Sequence, residues 1–197
     1  MGTRKLSPKA NEILDVAENH MRQGGFDAIS FRDIATAVDV KSASVHYHFP
    51  AKADLGEAMV ARYRAAIMDD MGDPADYSMS SAIKKLTALY RTALTEKESV
   101  CLCTILGAAS HTLPEMVAGE VKKFFDGLHE WTTKALNPKG VTEEPDKLAA
   151  SMISLLQGGT IMAVATGNSS HFQAAVDLAH MHVQTEEFKQ KLFNGQN

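Results

Sequence analysis

Apolar residues recur along most of this chain at intervals of three and four positions, which is the period of an amphipathic helix. No segment shows the alternation of a strand, and no internal repeat or low-complexity run interrupts the pattern. The predicted helices cover residues 8–23, 30–38, 42–49, 51–71, 80–94, 100–110, 114–136, 146–166 and 170–193. The sequence therefore predicts an all-α fold of roughly nine helices.

The segment at residues 30–55, SFRDIATAVDVKSASVHYHFPAKADL, contains two short helices joined by a tight turn. Ser30 stands before the first of them as a helix cap. Val45 and Phe49 lie four positions apart and share one face of the second. Because Ala35 is small, the two helices can cross closely. This arrangement predicts a helix-turn-helix, whose second helix enters the major groove of DNA.

The second helix carries an unusual density of polar and aromatic side chains. They are Lys41, Ser42, Ser44, His46, Tyr47 and His48. Such a face is poor core material, whereas hydroxyls and imidazoles can reach phosphates and base edges. The alternative is an ordinary solvated surface helix.

The same residues resemble the N-terminal signature of the tetracycline-repressor (TetR) family. The resemblance lies in FRDIA at 31–35, Val40, and VHYHFPAKADL at 45–55, within a match over about residues 9–60. Asp39 stands where the family usually has glycine, and His46 replaces a common tyrosine. Asp tolerates the left-handed conformation better than most residues, so the turn is expected to form.

The resemblance implies a helix-turn-helix domain at 1–50 and an effector-binding and dimerisation domain at 51–197. It implies a transcriptional regulator, a repressor, that binds a pseudo-palindromic operator as a homodimer and is released by a small-molecule effector. We expect base-edge contacts from Ser42, Ala43 and His46. We expect phosphate contacts from Ser30, Lys41, Tyr47 and Lys52.

The net charge of −4 does not exclude DNA binding, because the positions of the charges matter more than their sum. Arg4, Lys5 and Lys9 form a basic N-terminal arm without an acid. The N-terminus lacks the apolar stretch of a signal peptide, and no apolar run approaches the length needed to cross a bilayer. Two cysteines without a secretion signal favour a reducing cytoplasm.

The last two predicted helices, about 146–166 and 170–193, are the expected dimer interface. The first carries small residues that permit close helix approach, namely Ser151, Ser154, Gly158, Gly159, Ala163 and Ala165. Two such helices from each subunit can form a four-helix bundle. Close packing within one subunit is the alternative. The spacing of Ser170 and Gln173 predicts a capping box at the start of the last helix.

Aromatic and methionine residues in the middle helices more often simply form a core, but the resemblance implies that some of them line an effector pocket. The candidates are Tyr90, Cys101, His111, Phe125, His129, Trp131 and Gln157. Cys101 or Cys103 could instead act as a redox or electrophile sensor, and the simpler interpretation is a pair of buried thiols.

Enzyme chemistry has no supporting motif. His46 and His48, like His180 and His182, are two positions apart, whereas two imidazoles on one helix face need a spacing of four. We therefore expect no metal site and no cofactor. A helical ligand carrier or enzyme with a vestigial DNA-binding unit is the remaining alternative.

Overall fold

The computed structural model describes residues 6–96, 99–138, 140 and 142–194, so that Arg4 and Lys5 of the basic arm lie outside the described residues. Within these ranges the chain forms α-helices and short 3-10 turns and no strand, which confirms the all-α prediction. The helices are α1 (Pro8–Gly24), α2 (Phe31–Ala37), α3 (Ser42–His48), α4 (Lys52–Met71), α5 (Met79–Glu96), α6 (Leu102–Ala108), α7 (Glu115–Ala135), α8 (Pro145–Thr166) and α9 (Ser170–Asn194).

The helices form two compact units. The first contains Met1–Ala66 and Leu102–Phe124, and the second contains Ile67–Cys101 and Phe125–Asn197. Two of the three boundaries fall inside α4 and α7, so each of these helices contributes to both units.

In the first unit, α1 supports the two short helices that follow it. Ser7 caps α1 by accepting a hydrogen bond from the Ala10 N–H at 3.1 Å, and Pro8 occupies the first turn, where a missing N–H costs nothing. The apolar stripe of α1 is fully buried, at Ile13, Leu14, Ala17 and Met21. Burial of this stripe stabilises the unit through the hydrophobic effect.

Three consecutive residues attach α4 to the rest of the first unit. The Arg62 guanidinium lies 2.8 Å from the Asp15 carboxylate of α1. The Tyr63 ring lies 5.9 Å from the Phe124 ring of α7, measured between centroids. Arg64 forms an ion pair with Glu120 of α7. α4 is therefore held from both sides within one helical turn.

Glu120 is the one charged group among these partners that is buried, at 5% exposure. Arg64 Nε and Nη2 lie 3.1 and 3.0 Å from Glu120 Oε2, and Lys123 Nζ lies 2.6 Å from Oε1. Burial alone would raise the pKa of this carboxyl. The hydrogen bonds from Lys123 and Arg64 outweigh it and lower the pKa below its usual value.

In the second unit, α8 and α9 pack closely because Gly159 has no side chain. A Cβ atom at this position would lie 2.6 Å from the Cβ of Ala175 on α9. Gly167 ends α8 in the left-handed conformation, at φ 66°. The predicted capping box at Ser170 is wrong, because Ser170 is the first helical residue and the Asn168 side chain accepts its N–H at 3.0 Å.

Helix α8 also corrects the expectation that no segment could cross a bilayer. By length and composition it meets the requirement for a span. This is weak support for a membrane location, since core helices of soluble proteins meet the same requirement.

The Glu120 contacts predict a pH-dependent contribution to stability. Glu120→Gln leaves Arg64 without its carboxylate, and we expect a loss of about 1.5–3 kcal/mol in the free energy of unfolding at pH 7. Because the pKa of Glu120 is lowered on folding, the loss should be complete above the unfolded pKa and should disappear as the pH falls through the folded one.

Denaturant unfolding of both proteins between pH 7 and pH 3 measures this difference. Glu130→Gln is the matched control on the same helix, because the Glu130–Lys134 pair is solvent-exposed and should contribute little. Equal effects of the two substitutions at pH 7 would contradict the assignment.

Candidate nucleic-acid interface

Helix α3 packs against the rest of the first unit along one edge. Val45 and Phe49 are buried, at 0% and 3% exposure. Tyr47, between them in sequence, is 83% exposed, although a tyrosine ring of this size is usually partly covered. A large aromatic side chain held in solvent by a buried neighbour on each side is available for contact with a partner.

The turn between α2 and α3 adopts the conformation expected from its sequence. Asp39 has a φ of 52°, and it is the non-glycine residue with positive φ in the described part of the chain. The Val40 N–H donates to the Ala35 carbonyl at 2.9 Å, which closes the turn. Ala35 is 3% exposed, so the small residue lies where the two helices cross.

The predicted base-contacting residues all lie on α3, and two of the three are exposed. Ala43 and His46 are exposed, and Ser42 is half-buried at the start of the helix. The His46 ring lies 4.6 Å from the Phe31 ring of α2, between centroids. Its Nδ1 atom lies 3.2 Å from the Pro50 carbonyl oxygen.

Among the residues predicted to contact phosphates, Ser30 and Lys52 already have partners. The Ser30 hydroxyl oxygen accepts the Asp33 N–H at 3.3 Å, which leaves its own O–H free to donate. Lys52 Nζ donates to the Asp27 carbonyl at 3.0 Å. An ammonium has three donors, so both residues keep a hydrogen for a phosphate oxygen. Lys41 is exposed.

Phe26 and Gly56 position Lys52, and the sequence motif did not reveal them. Lys52 Nζ lies 4.9 Å from the centroid of the Phe26 ring, within range of a cation–π contact. A Cβ atom on Gly56 would lie 2.7 Å from Phe26 Cε2, so only glycine lets the ring approach α4 this closely. The sequence signal for this contact is a glycine in the first turns of a predicted helix, where another residue would be expected unless a side chain packs closely.

The structure separates the predicted effector-pocket residues. His111 is exposed and belongs to the first unit, whereas the other six belong to the second. Trp131 Nε1 donates to the Gly72 carbonyl at 2.8 Å, and the His129 ring is hydrogen-bonded to the Asp146 carbonyl at 3.1 Å. Tyr90 and Cys101 are buried, and Phe125 and Gln157 are half-buried. As a set, these residues remain a prediction.

Thr87 of α5 is a further candidate that the sequence did not indicate. It is 4% exposed, and its hydroxyl has no hydrogen-bond partner among the described residues. The other two buried threonines behave differently: Thr132 and Thr160 each donate to the carbonyl four residues earlier, at 2.7 Å. Buried hydroxyls are rarely left without a partner, so Thr87 has hydrogen-bonding capacity to offer a ligand.

Two profiles of known families match this chain. "Bacterial regulatory proteins, tetR family" matches residues 13–59, and "Transcriptional regulator LmrA/YxaF-like, C-terminal domain" matches residues 80–178. The first match contains α2, α3 and the turn between them.

Three individual proteins that resemble this chain are also transcriptional regulators. A TetR transcriptional regulator from Legionella pneumophila is 30% identical, with a TM-score of 0.83 over 91% of this chain and 99% of that one. An uncharacterized HTH-type transcriptional regulator in the dhlA 5′ region of Xanthobacter autotrophicus is 28% identical over 84% of each chain. The HTH-type transcriptional repressor KstR2 of Rhodococcus jostii is 28% identical over 61% of this chain and 53% of that one.

The contrast among the buried threonines predicts opposite effects of one substitution. Thr87→Val removes a hydroxyl that has no protein partner, so we expect the ligand-free protein to unfold with a free energy unchanged or raised by about 1 kcal/mol. Thr160→Val, the matched control, removes a hydrogen-bonded hydroxyl and should not stabilise. Denaturant unfolding measures both, and a clear loss of stability in Thr87→Val would show that the hydroxyl has a partner within the protein.

Proposed function

Because this chain belongs to the TetR family of bacterial transcriptional regulators, we propose that it represses transcription by binding a pseudo-palindromic operator as a homodimer. A small-molecule effector releases the operator. The name of the Rhodococcus relative, a repressor, supports the sign of regulation. The observation that carries the proposal is the exposure of Tyr47 between the buried Val45 and Phe49.

In this proposal residues 1–50 form the DNA-binding domain and residues 51–197 bind the effector and the second subunit. Ser42, Ala43 and His46 contact base edges. The phosphate contacts come from Ser30, Lys41, Tyr47 and Lys52. The protein acts in the cytoplasm, where it has access to the operator.

Substitutions at Lys41 and Tyr47 test the DNA-binding surface. Lys41→Ala and Tyr47→Ala should weaken binding to every duplex, because phosphate contacts are independent of sequence. Lys41→Ala should also reduce the slope of log affinity against log salt by about one per subunit. The measurement is a titration of labelled duplex at several salt concentrations, first with a pool of random duplexes and then with those that the protein enriches.

Lys134→Ala is the matched control, since this exposed lysine pairs with Glu130 on α7. It should change neither affinity nor slope. If the Tyr47 and Lys41 variants bind as tightly as the parent protein, α3 is not the recognition helix.

The exposed side of α8 and α9 supports the homodimer. On α8 it is almost free of charge, and its members include Ser151, Ser154, Gly158, Ile161, Met162 and Ala165. On α9 it presents Leu178, Met181 and Phe188 at 45%, 58% and 63% exposure. Apolar surface of this kind on two adjacent helices is typical of a protein–protein interface. A second copy supplies the matching pair of helices and completes a four-helix bundle.

The sequence left open whether the small residues of α8 serve packing within one subunit or against a second one. The two adjacent glycines of α8 differ in this respect. Gly159 serves the packing of α9 within the subunit, whereas a Cβ on Gly158 would meet nothing within 4 Å. A glycine in a helix costs about 1 kcal/mol relative to alanine. Close approach of a partner helix accounts for Gly158 as α9 accounts for Gly159.

Gly158→Glu should therefore dissociate the dimer while the subunit stays folded. A carboxylate buried without a partner costs about 2–5 kcal/mol, which corresponds to roughly a thirty-fold or greater rise in the dissociation constant. Analytical ultracentrifugation measures it. Gly119→Glu, at a helical glycine of α7 whose Cβ would also meet nothing within 4 Å, is the control and should leave the dimer intact. A monomeric parent protein, or equal behaviour of both variants, would contradict this interface.

For the effector, Thr87 of α5 offers a buried hydroxyl that has no hydrogen-bond partner among the residues that the structure describes. The thiol-sensing alternative has less support, because Cys101 and Cys103 are 1% and 0% exposed and a sensor thiol must be accessible. Release by a ligand that the second unit holds is therefore the form of regulation we propose.

A further inference from the structure

The contact between His46 and Pro50 determines more than the position of the ring. Pro50 offers its carbonyl oxygen, and a carbonyl can only accept a hydrogen bond. The 3.2 Å contact with His46 Nδ1 therefore requires a proton on Nδ1. In a neutral imidazole that proton is the only one, so Nε2 carries a lone pair and acts as an acceptor.

The contact with Pro50 also constrains the direction in which this acceptor points. The two ring nitrogens of an imidazole point in nearly opposite directions, so that Nε2 faces away from the Pro50 carbonyl. The ring is exposed, and the contact with Phe31 at 4.6 Å restricts its rotation. His46 thus holds one acceptor in a defined direction on the outer face of α3.

We propose that neutral His46 selects a base that carries an exocyclic amino group, adenine or cytosine, through a hydrogen bond to Nε2. In the major groove the only donors are the N6 amino group of adenine and the N4 amino group of cytosine. All remaining polar atoms of the base edges there are acceptors, which an acceptor cannot bind. This inference rests on the proposed function, since it assumes that α3 lies in the groove.

A phosphate contact for neutral His46 is disfavoured by the same chemistry. Phosphate oxygens offer only lone pairs, so neutral Nε2 cannot bind them. A protonated ring is a donor at both nitrogens. It would bind acceptors, namely N7 and O6 of guanine or a phosphate oxygen, in place of an amino group. The tautomer and charge of the ring therefore determine which base edge it can bind.

Two carboxylates of neighbouring elements have other partners. Arg32 and Asp33 lie 3.6 Å apart, and Asp54 accepts the Ala51 N–H. In the part of the chain that the structure describes, neither carboxylate forms an ion pair with His46.

The test uses the full-length protein and duplexes enriched from a random pool at pH 7.5. In the enriched duplex each adenine is replaced in turn by purine, which lacks the N6 amino group, and each cytosine by 2-pyrimidinone, which lacks the N4 amino group. At one position in each half-site the replacement should weaken binding of the parent protein roughly tenfold. The same replacement should have no effect on His46→Ala, which has already lost the contact.

A second measurement places guanine at that position, because its base edge offers only acceptors there. The parent protein should bind this duplex more weakly than the enriched one at pH 7.5, and His46→Ala should distinguish the two less. His48→Ala is the matched control, since its ring contacts Tyr47 and Phe49. It should keep the sensitivity of the parent protein to the amino group.

The outcomes separate the inference from the function on which it rests. One outcome is that a duplex is enriched but no amino-group replacement affects the parent protein more than His46→Ala. In that case the inference is overturned and the DNA-binding function stands. The same holds if His46→Ala weakens binding to all duplexes equally, which would indicate a phosphate contact. If no duplex is enriched, the proposed function fails and the inference fails with it.

Discussion

The burial of Val45 and Phe49 is the contact on which the recognition surface depends. α3 is only seven residues long, too short to be stable by itself, so these two side chains hold it to α1 and α2. Because they lie four positions apart on one edge, the other side chains of the helix are exposed or half-buried. The exposure of Tyr47 and of His46 follows from this division between one buried edge and one open face.

Helix α4 is attached to the helices that pack around α3 and to α7. Arg62, Tyr63 and Arg64 lie within one turn, yet they contact α1 and α7 separately. α4 also begins at Lys52, next to the recognition helix, and continues past the boundary of the first unit at Ala66. α4 is thus a covalently continuous helix that belongs to both units and is attached to α1 and α7 within the first.

The sequence predicted the features that depend on local spacing. The cap at Ser7, the left-handed Asp39 and the buried edge of α3 each follow from a few neighbouring residues, and each is confirmed. Features that depend on contacts between distant segments could not be predicted. The roles of Gly158 and Gly159 differ because only Gly159 faces Ala175, and helical spacing alone does not say which of two adjacent glycines will meet the next helix. The hydrogen bonds of Trp131 and His129 and the unpaired hydroxyl of Thr87 likewise arise from tertiary packing.

The central claim is that the outer face of α3 lies against DNA, and the reactivity of Tyr47 tests it most directly. Of the four tyrosines, Tyr47 is 83% exposed, Tyr63 and Tyr77 are half-buried and Tyr90 is buried. Iodination followed by mass spectrometry of the peptides should therefore modify Tyr47 first in the free protein. A saturating amount of an enriched duplex should protect Tyr47 and leave the other tyrosines unchanged. Modification of Tyr47 at the same rate with and without bound duplex would contradict the account.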